Sequence, residues 1–194
     1  MIKSQLRFTN YLRTTIKNTS LEVLIPDITT YFSRIKLTKN DFFVKSGMIS
    51  TNFCFVESGV LQHSILVNEE EKTTYFALKN TCTTSLQSFL KEIPSRKSIK
   101  ALTECVLWII DVNDFKKLLI NNKAFYQFYF NLLENQIFLI DDYRIDLLTL
   151  TPEKRYKKLL INEPNLLQKV PLRYLASFLG ISTRNMSRIR KNIK

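Results

Sequence analysis

Histidine and cysteine are scarce in this chain of 194 residues, and their scarcity excludes several kinds of site. His63 is the only histidine, which excludes a metal or haem site built on two histidines and a catalytic triad using any other histidine. Three cysteines are too few for a four-thiolate iron–sulfur cluster. Their odd number and the lack of a CxxC motif argue against a disulfide framework, so we expect Cys54, Cys82 and Cys105 to be small buried hydrophobes. We therefore predict no metal site, no catalytic residue and no enzymatic activity.

Long hydrophobic runs are missing as well. No apolar stretch approaches the roughly 20 residues that a transmembrane helix needs. The N-terminal sequence MIKSQLRFTNYLRTTIKN mixes charged and apolar residues, unlike a signal peptide. Because 45% of the residues are hydrophobic, the chain can still bury a core. We therefore expect a cytoplasmic globular protein that makes no membrane contact.

Acidic residues are fewest where basic residues are dense. The formal net charge is +12, and residues 149–194 carry a balance of +9, with eleven Lys or Arg and two acidic residues. Residues 1–148 carry eighteen basic and fifteen acidic residues, a balance of only +3. A generally basic proteome or a solubility device would spread the charge evenly. The concentrated positive charge instead favours a polyanionic partner such as DNA.

The middle of the chain has the composition of short β-strands. Six runs rich in Phe, Val, Ile, Thr and Tyr are separated by turn signals, which is typical of a sandwich or barrel. A tight turn is predicted at Gly59, and a polar turn at residues 68–71 predicts a hairpin over residues 60–78. Residues 85–90 predict a helical turn. The strands are predicted at residues 42–47, 52–59, 60–67 and 72–78, with two more within 98–111.

Helices are predicted on both sides of these strands. Residues 1–34 read as helical segments, the last capped by Asp27, and residues 112–121 form a short helix capped by Asp111 or Asn113. Residues 124–148 predict a long helix with two apolar stripes, one at Phe125, Leu132 and Leu139, the other at Phe130, Leu133, Ile137, Ile140 and Leu147. A helix that is apolar on two sides must bury both. One side can cover the β-domain and the other can pair with a second subunit, although a helix sunk in its own monomer's core remains an alternative.

The last two dozen residues carry the most informative pattern. Thr151 and Pro152 begin one helix, with a hinge expected at residues 149–151. Leu172, Leu175, Ala176 and Leu179 then form one apolar helix face, and Gly180 ends that helix. Ser182 caps a second helix, whose outer face is basic. This arrangement is typical of a DNA-binding helix-turn-helix, although a solvated basic helix would give the same pattern.

Two segments resemble the Crp/Fnr family of bacterial transcription regulators, and especially its short Bacteroidetes-type members. They are GMISTNFCFVESGVLQ, residues 47–62, and YLASFLGISTRNMSRIRK, residues 174–191. The resemblance implies an α+β protein with a jelly-roll domain of the cyclic-nucleotide-binding type at residues 1–123, a dimerisation helix and hinge at 124–150, and a winged-helix-like helix-turn-helix domain at 151–194. Because the 194 residues leave no room for a full hairpin after the second helix, we expect the wing to be short or missing.

The effector region departs from the family pattern. Cyclic-AMP-binding members hold ribose and phosphate with Gly, Glu and an Arg-Ser pair, whereas residues 80–102 here have no Gly and no Glu at the ribose position. Ser95-Arg96 stands in place of Arg-Ser, and a shift by one residue turns a strand side chain to the other face. We therefore expect no cofactor and do not expect cyclic AMP. An unknown small effector would use Thr83, Thr84, Ser85, Gln87, Arg96 and Lys97, unless the two cations are only surface charges.

The resemblance also assigns residues of the second helix, 183–192, to DNA. Arg188 matches a family arginine that reads bases, and Arg184 is the second candidate, since arginine bound to guanine is the commonest specific contact. We expect Thr183 and Ser187 to touch phosphate or a thymine methyl group. Arg173, Arg190 and Lys191 are expected to contact phosphates.

The sequence therefore predicts a homodimeric transcription regulator that binds a pseudo-palindromic operator in double-stranded DNA. RNA polymerase and the unknown effector are further partners implied by the resemblance. The alternative is a ligand-binding sensor module with little DNA-binding role.

Overall fold

The structure is a computed structural model that describes residues 2–164 and 166–193. It begins with helical segments that cover one side of a β-sandwich. These are α1 (Ile2–Ile16), a 3₁₀ helix (Thr19–Leu24) and α2 (Ile25–Thr30). The buried side chains of Phe8, Leu12 and Ile16 place α1 against the core.

The sandwich consists of two antiparallel four-stranded sheets, ordered β1-β8-β3-β6 and β2-β7-β4-β5. This jelly-roll arrangement confirms the predicted sandwich. The six predicted strand runs, the helical turn and the 60–78 hairpin are all present, with shifted ends. The strands and the intervening helix are β1 (Ser33–Leu37), β2 (Phe42–Val44), β3 (Asn52–Ser58), β4 (Leu61–Val67), β5 (Glu70–Ala77), β6 (Cys82–Thr83), α3 (Leu86–Lys91), β7 (Ser98–Ala101) and β8 (Cys105–Asp111).

The structure corrects the predictions at the start of the sandwich. Strand β1 begins at Ser33, within the region predicted to be helical, and pairs with β8. Asp27 does not cap α2: the N-cap residue is Leu24, and the Asp27 carboxylate accepts a hydrogen bond from the Asn122 side chain at 2.9 Å. The two-residue strand β6 is also absent from the prediction, because so short a segment has no periodicity to detect.

Two helices follow the sandwich, as predicted: α4 (Val112–Asn121) and α5 (Lys123–Thr149). Asp111 caps α4, and its carboxylate accepts hydrogen bonds from the backbone N–H groups of Asn113 and Asp114. The first part of α5 buries Phe125 and Phe128 against the sandwich.

The stripe of α5 predicted to cover the β-domain does so only in part. Phe125 is buried and Leu132 packs against the core beside it, but Leu139 is 58% exposed. The helix extends beyond the sandwich, so its second half leaves both faces largely uncovered in the single chain. Within the described part of the chain, no helix is both long enough and apolar enough to cross a bilayer.

The C-terminal unit, residues 152–193, contains α6 (Pro152–Asn162), α7 (Leu166–Lys169), α8 (Leu172–Phe178) and α9 (Thr183–Asn192). Helix α5 ends before Leu150, whose extended backbone separates α5 from α6 at the position of the predicted hinge. Thr151 caps α6 as predicted, its hydroxyl accepting from the Lys154 N–H. The unit has a core of its own, formed by residues such as Tyr156, Leu175, Met186 and Ile189, which also contacts residues of the sandwich.

Candidate nucleic-acid interface and effector pocket

Helices α8 and α9 are joined by a tight turn at Gly180, which has a φ of +69°. Glycine adopts this left-handed conformation without the steric cost that a Cβ imposes. The Gly180 N–H donates to the Ser177 carbonyl at 3.1 Å, and the Ile181 N–H donates to the Ala176 carbonyl at 3.0 Å. The Ser182 hydroxyl then caps α9 by accepting from the Asn185 N–H at 3.2 Å. Local sequence therefore fixes the angle between the two helices.

Helix α9 has one buried and one exposed face. Met186 and Ile189 are buried against α8, while the side chains on the opposite side are exposed. The exposed residues include Arg184, Ser187, Arg188 and Lys191, which lie on one side at the helical period of 3.6 residues. No acidic side chain of the described residues lies within ion-pair distance of this basic face, so it is available to an external anion.

The seven residues predicted to contact DNA are all exposed, but two are held by neighbours. The Ser187 hydroxyl donates to the Thr183 carbonyl at 3.0 Å. The Arg173 guanidinium donates to the Tyr174 hydroxyl at 2.7 Å and lies 4.6 Å from its ring centroid. Arg173 is therefore partly engaged within α8. The exposed residues are Arg173, Thr183, Arg184, Ser187, Arg188, Arg190 and Lys191.

Helix α6 adds positive charge that the site prediction left out. Lys154 and Lys157 are exposed on it, whereas Lys158 forms an ion pair with Asp146 of α5 at 2.6 Å. The run KRYKK, residues 154–158, was the available sequence signal. These lysines extend the basic surface of the C-terminal unit.

The hydroxyl side chains predicted to line an effector pocket are buried and bonded to each other or to nearby polar groups. The Thr83 hydroxyl lies 2.8 Å from His63 Nε2. Ser95, which occupies the position of the family arginine, donates to the Ser85 hydroxyl at 2.8 Å. The Thr84 hydroxyl donates to the Asn52 carbonyl at 2.8 Å. The hydroxyl groups of Thr83, Thr84 and Ser85 are therefore all hydrogen-bonded within the protein.

The other predicted effector residues do not join this cluster. Gln87 and Arg96 are exposed, and Lys97 is half-buried, where burial lowers the pKa of its ammonium group. Surface cavities of 380 and 510 Å³ lie beside α1 and beside the start of α5, and neither includes any of the six residues. The structure thus brings Thr83, Thr84 and Ser85 together without assembling a cationic pocket around them.

His63 occupies the interior of the sandwich on β4. Burial, and then the nearby charge of Lys97, lower the pKa of its imidazole to about 3, so the ring is neutral at physiological pH. Its Nδ1 has no hydrogen-bond partner among the described residues. A neutral buried histidine of this kind is a structural residue and an acid-sensitive one.

Comparisons with known proteins agree with this architecture. Residues 34–122 match the model of the family described as the cyclic nucleotide-binding domain. No curated protein matches the sequence. Among solved structures, FixK2 from Bradyrhizobium japonicum has a TM-score of 0.70 at 12% identity, with 84% of each chain covered.

Two further structures extend the likeness over most of the chain. A candidate transcriptional regulator of the Crp/Fnr family from Eubacterium rectale has a TM-score of 0.67 at 20% identity, covering 90% of this chain and 82% of that one. The catabolite activator protein of Thermus thermophilus has a TM-score of 0.57 at 17% identity, covering 92% and 86%. Residues 34–122 therefore match the cyclic nucleotide-binding domain family, and the chain as a whole has a fold similar to that of Crp/Fnr-type proteins.

Proposed function

We propose that the chain is a homodimeric transcription regulator whose α8–α9 pair is a DNA-binding helix-turn-helix. The observation that carries the proposal is the division of α9 into a face buried against α8 and an exposed basic face, which has no acidic partner in the part of the chain that the structure describes. A helix of this kind fits the major groove, where its outer side chains reach base edges. The concentration of positive charge in residues 149–194 supports the same partner.

The roles within this surface follow from position. Arg188 and Arg184 lie on the outer face of α9 and are proposed to read bases, Arg188 first. Thr183 and Ser187 are proposed to contact phosphate or a thymine methyl group. Arg190 lies at the flank and Lys191 nearer the end of α9, where both suit phosphates. Because Arg173 is engaged with Tyr174, its phosphate contact requires that pair to separate.

Dimerisation through α5 would supply the two-fold symmetry that a pseudo-palindromic operator requires. Beyond the sandwich, α5 exposes apolar side chains at the a and d positions of a heptad repeat, which is the pattern of a two-stranded coiled coil. Single chains rarely leave so many neighbouring apolar side chains in water. The heptad residues are Phe130, Leu133, Ile137, Ile140 and Leu147, of which all but Leu133 are at least 45% exposed.

Binding to DNA selected in vitro tests the recognition assignment. In fluorescence anisotropy, Arg188→Ala should lose roughly 1–3 kcal/mol of discrimination at one base position in each half-site. Arg190→Ala is the matched comparison, since loss of a phosphate contact should weaken binding to all sequences alike and reduce the salt dependence. An Arg188→Ala protein with unchanged sequence preference would show that Arg188 does not read bases.

A sensor module with little DNA-binding role is the second candidate, supported by the family match of residues 34–122. Thermal unfolding with cyclic nucleotides separates the two. Because hydroxyl pairs such as Ser85–Ser95 occupy the expected effector region, we expect no shift with cyclic AMP. A ligand at 100 times its Kd would stabilise the fold by about 2.7 kcal/mol, and a shift of that size would favour the second candidate.

A further inference from the structure

Helix α8 contacts the β-sandwich along the free edge of strand β5. This strand ends its sheet, so its outward backbone N–H groups have no neighbouring strand. The Thr73 N–H donates instead to the hydroxyl of Ser177 on α8, at 2.9 Å. The Thr73 hydroxyl accepts from Gln62 Nε2 at 2.8 Å. Thr73 is therefore bonded to the sandwich through its side chain and to the helix pair through its backbone.

An aromatic cluster holds the end of the same helix. The ring of Phe178 lies 5.3 Å from that of Phe76 on β5 and 5.4 Å from that of Tyr143 on α5. The Tyr143 hydroxyl donates to the Phe178 carbonyl at 3.1 Å. Phe178 is thus fixed against both the sandwich and the long helix. Offset and tilted ring pairs at these distances contribute beyond the area that they bury.

Ion pairs and one cation–π contact surround this cluster, and their side chains are partly exposed. Lys100 lies 5.6 Å from the Tyr174 ring centroid and forms an ion pair with Glu71 at 3.1 Å. On the other side, Lys158 pairs with Asp146 across the helix break. Contacts of this kind depend on salt and add little stability.

Two buried polar atoms near this contact have no partner among the described residues. They are Oε1 of Gln62, whose cross-strand neighbour is Phe76, and Nε of Arg155, whose Nη2 donates to the Leu179 carbonyl. A buried polar atom without a hydrogen bond costs free energy, which lowers the net stability of the packed state. Docking of α8 on β5 is therefore specific but reversible, as is usual for contacts between domains of one chain.

We propose that docking of α8 on the edge of β5 fixes the recognition helix relative to α5, with Thr73, Ser177 and Phe178 as positioning residues for DNA recognition. The proposal rests on the proposed function, because two copies joined through α5 would then present their α9 helices at one set separation. The outer face of α9 takes no part in docking, so the docked protein can bind DNA. Without docking, the helix pair is joined to α5 by the chain through Leu150 and by the Tyr143–Phe178 contact alone, and the separation varies.

Operator spacing provides a readout that simple loss of stability would not change. The full chain is tested by anisotropy on a selected palindrome, on palindromes with one or two base pairs added or removed at the centre, and on a single half-site. We expect the wild type to prefer one spacing strongly. Ser177→Ala should bind the preferred palindrome roughly fivefold more weakly, as expected for one lost hydrogen bond. Its affinity for the single half-site should be unchanged, and its preference among the palindromes of different spacing should be smaller.

Matched variants isolate the contact. Ser177→Thr keeps the hydroxyl and should restore the spacing preference, and Ser33→Ala, on an exposed residue of β1, should behave as wild type. Phe76→Leu removes the ring beside Phe178 without altering the helix pair, and should broaden the spacing preference in the same way. Hydrogen exchange of the Thr73 amide should be slow in the wild type and faster in Ser177→Ala.

Three results would overturn the proposal. The first is an unchanged spacing preference in both Ser177→Ala and Phe76→Leu. The second is an equal loss of affinity for the half-site and the palindrome, which would mean that Ser177 only stabilises the helix pair. The third is a wild-type chain that does not bind DNA; this would also refute the proposed function, although Thr73 exchange would still report docking.

Discussion

Arg34 and Glu57 form a two-point ion pair across the first sheet, joining β1 and β3, which lie on either side of β8. Arg34 Nε lies 2.8 Å from Glu57 Oε2, and Nη2 lies 3.2 Å from Oε1. The indole N–H of Trp108, on the strand between them, also donates to the carboxylate, at 3.0 Å. These bonds hold the pKa of Glu57 below its usual value of 4.5, with the Arg34 bond as the largest cause. The carboxylate thus links strands β1, β8 and β3.

Glu57→Gln should destabilise the fold by about 1–2 kcal/mol at pH 7, because hydrogen bonds to a charged group become neutral ones. A carboxylate with a lowered folded pKa contributes stability above pH 4.5 and loses it as the pH falls through the folded pKa. The difference between variant and wild type should therefore shrink below pH 4.5. Urea unfolding followed by circular dichroism measures it. Glu22→Gln, in the exposed pair with Arg13, is the control and should change stability by less than about 0.5 kcal/mol.

The buried imidazole of His63 should make the folded protein lose stability at a higher pH than the one at which the contribution of Glu57 is lost. Its folded pKa is about 3, against an ordinary value of 6.5, so the unfolded chain binds a proton first as the pH falls. The resulting stability is complete above pH 6.5 and is lost toward pH 3. Between pH 6.5 and 5 the wild type should lose about 1.5 kcal/mol more than His63→Gln. Equal slopes for the two proteins in urea unfolding would contradict this account of His63.

Local sequence signals predicted most of the fold. Hydrophobic composition located six of the eight strands, and capping residues such as Asp111, Thr151 and Ser182 located three helix starts. The hairpin turn is tighter than predicted, with only Asn68 and Glu69 between the strands, both at positive φ. Strand β1 was missed because its pairing with β8, about 70 residues away in the chain, decides its conformation, and sequence pattern alone does not contain that pairing.

The candidate site was predictable where it lies on one element. The exposed basic face of α9 follows from helical periodicity alone, so its residues could be assigned by number. The exposure of Arg96 agrees with its interpretation as a surface charge, but the effector cluster required tertiary contacts, because nothing in the sequence indicates that Ser95 bonds to Ser85. The hydrogen bond between Thr73 and Ser177 joins residues 104 positions apart, so local sequence patterns could not predict it either.

Two glycines at positive φ should respond differently to alanine. Gly59, at the turn between β3 and β4, has a φ of +96°, and a Cβ there would lie 2.5 Å from Cys105 Sγ and from the Glu104 carbonyl oxygen. Gly47 has a φ of +84° but nothing within 4 Å of its Cβ position. We expect Gly59→Ala to cost about 3 kcal/mol, from backbone strain and overlap together, and Gly47→Ala about 1 kcal/mol from strain alone. Thermal unfolding of both variants tests this ranking, and equal losses would refute the steric argument.

The heptad on α5 predicts how dimer strength responds to single substitutions. Ile137 is 64% exposed in the single chain and lies at an a position between Phe130 and Arg144. In a dimer Ile137→Glu would bury a carboxylate without a partner, so the dissociation constant should rise roughly tenfold or more. Ile120→Glu, on α4 at 82% exposure, is the matched control and should leave the constant unchanged.

Arg144 supplies the opposite test at the same seam. A cation at an a position meets its own copy in a parallel coiled coil, which weakens the dimer while specifying its register. Arg144→Ile should therefore lower the dissociation constant, measured by sedimentation velocity under the conditions used for Ile137→Glu. The proposed pairing would be refuted if Ile137→Glu had the same dissociation constant as Ile120→Glu and Arg144→Ile did not lower it. A parallel coiled coil with Ile137 and Arg144 at a positions would change its dissociation constant in response to both substitutions.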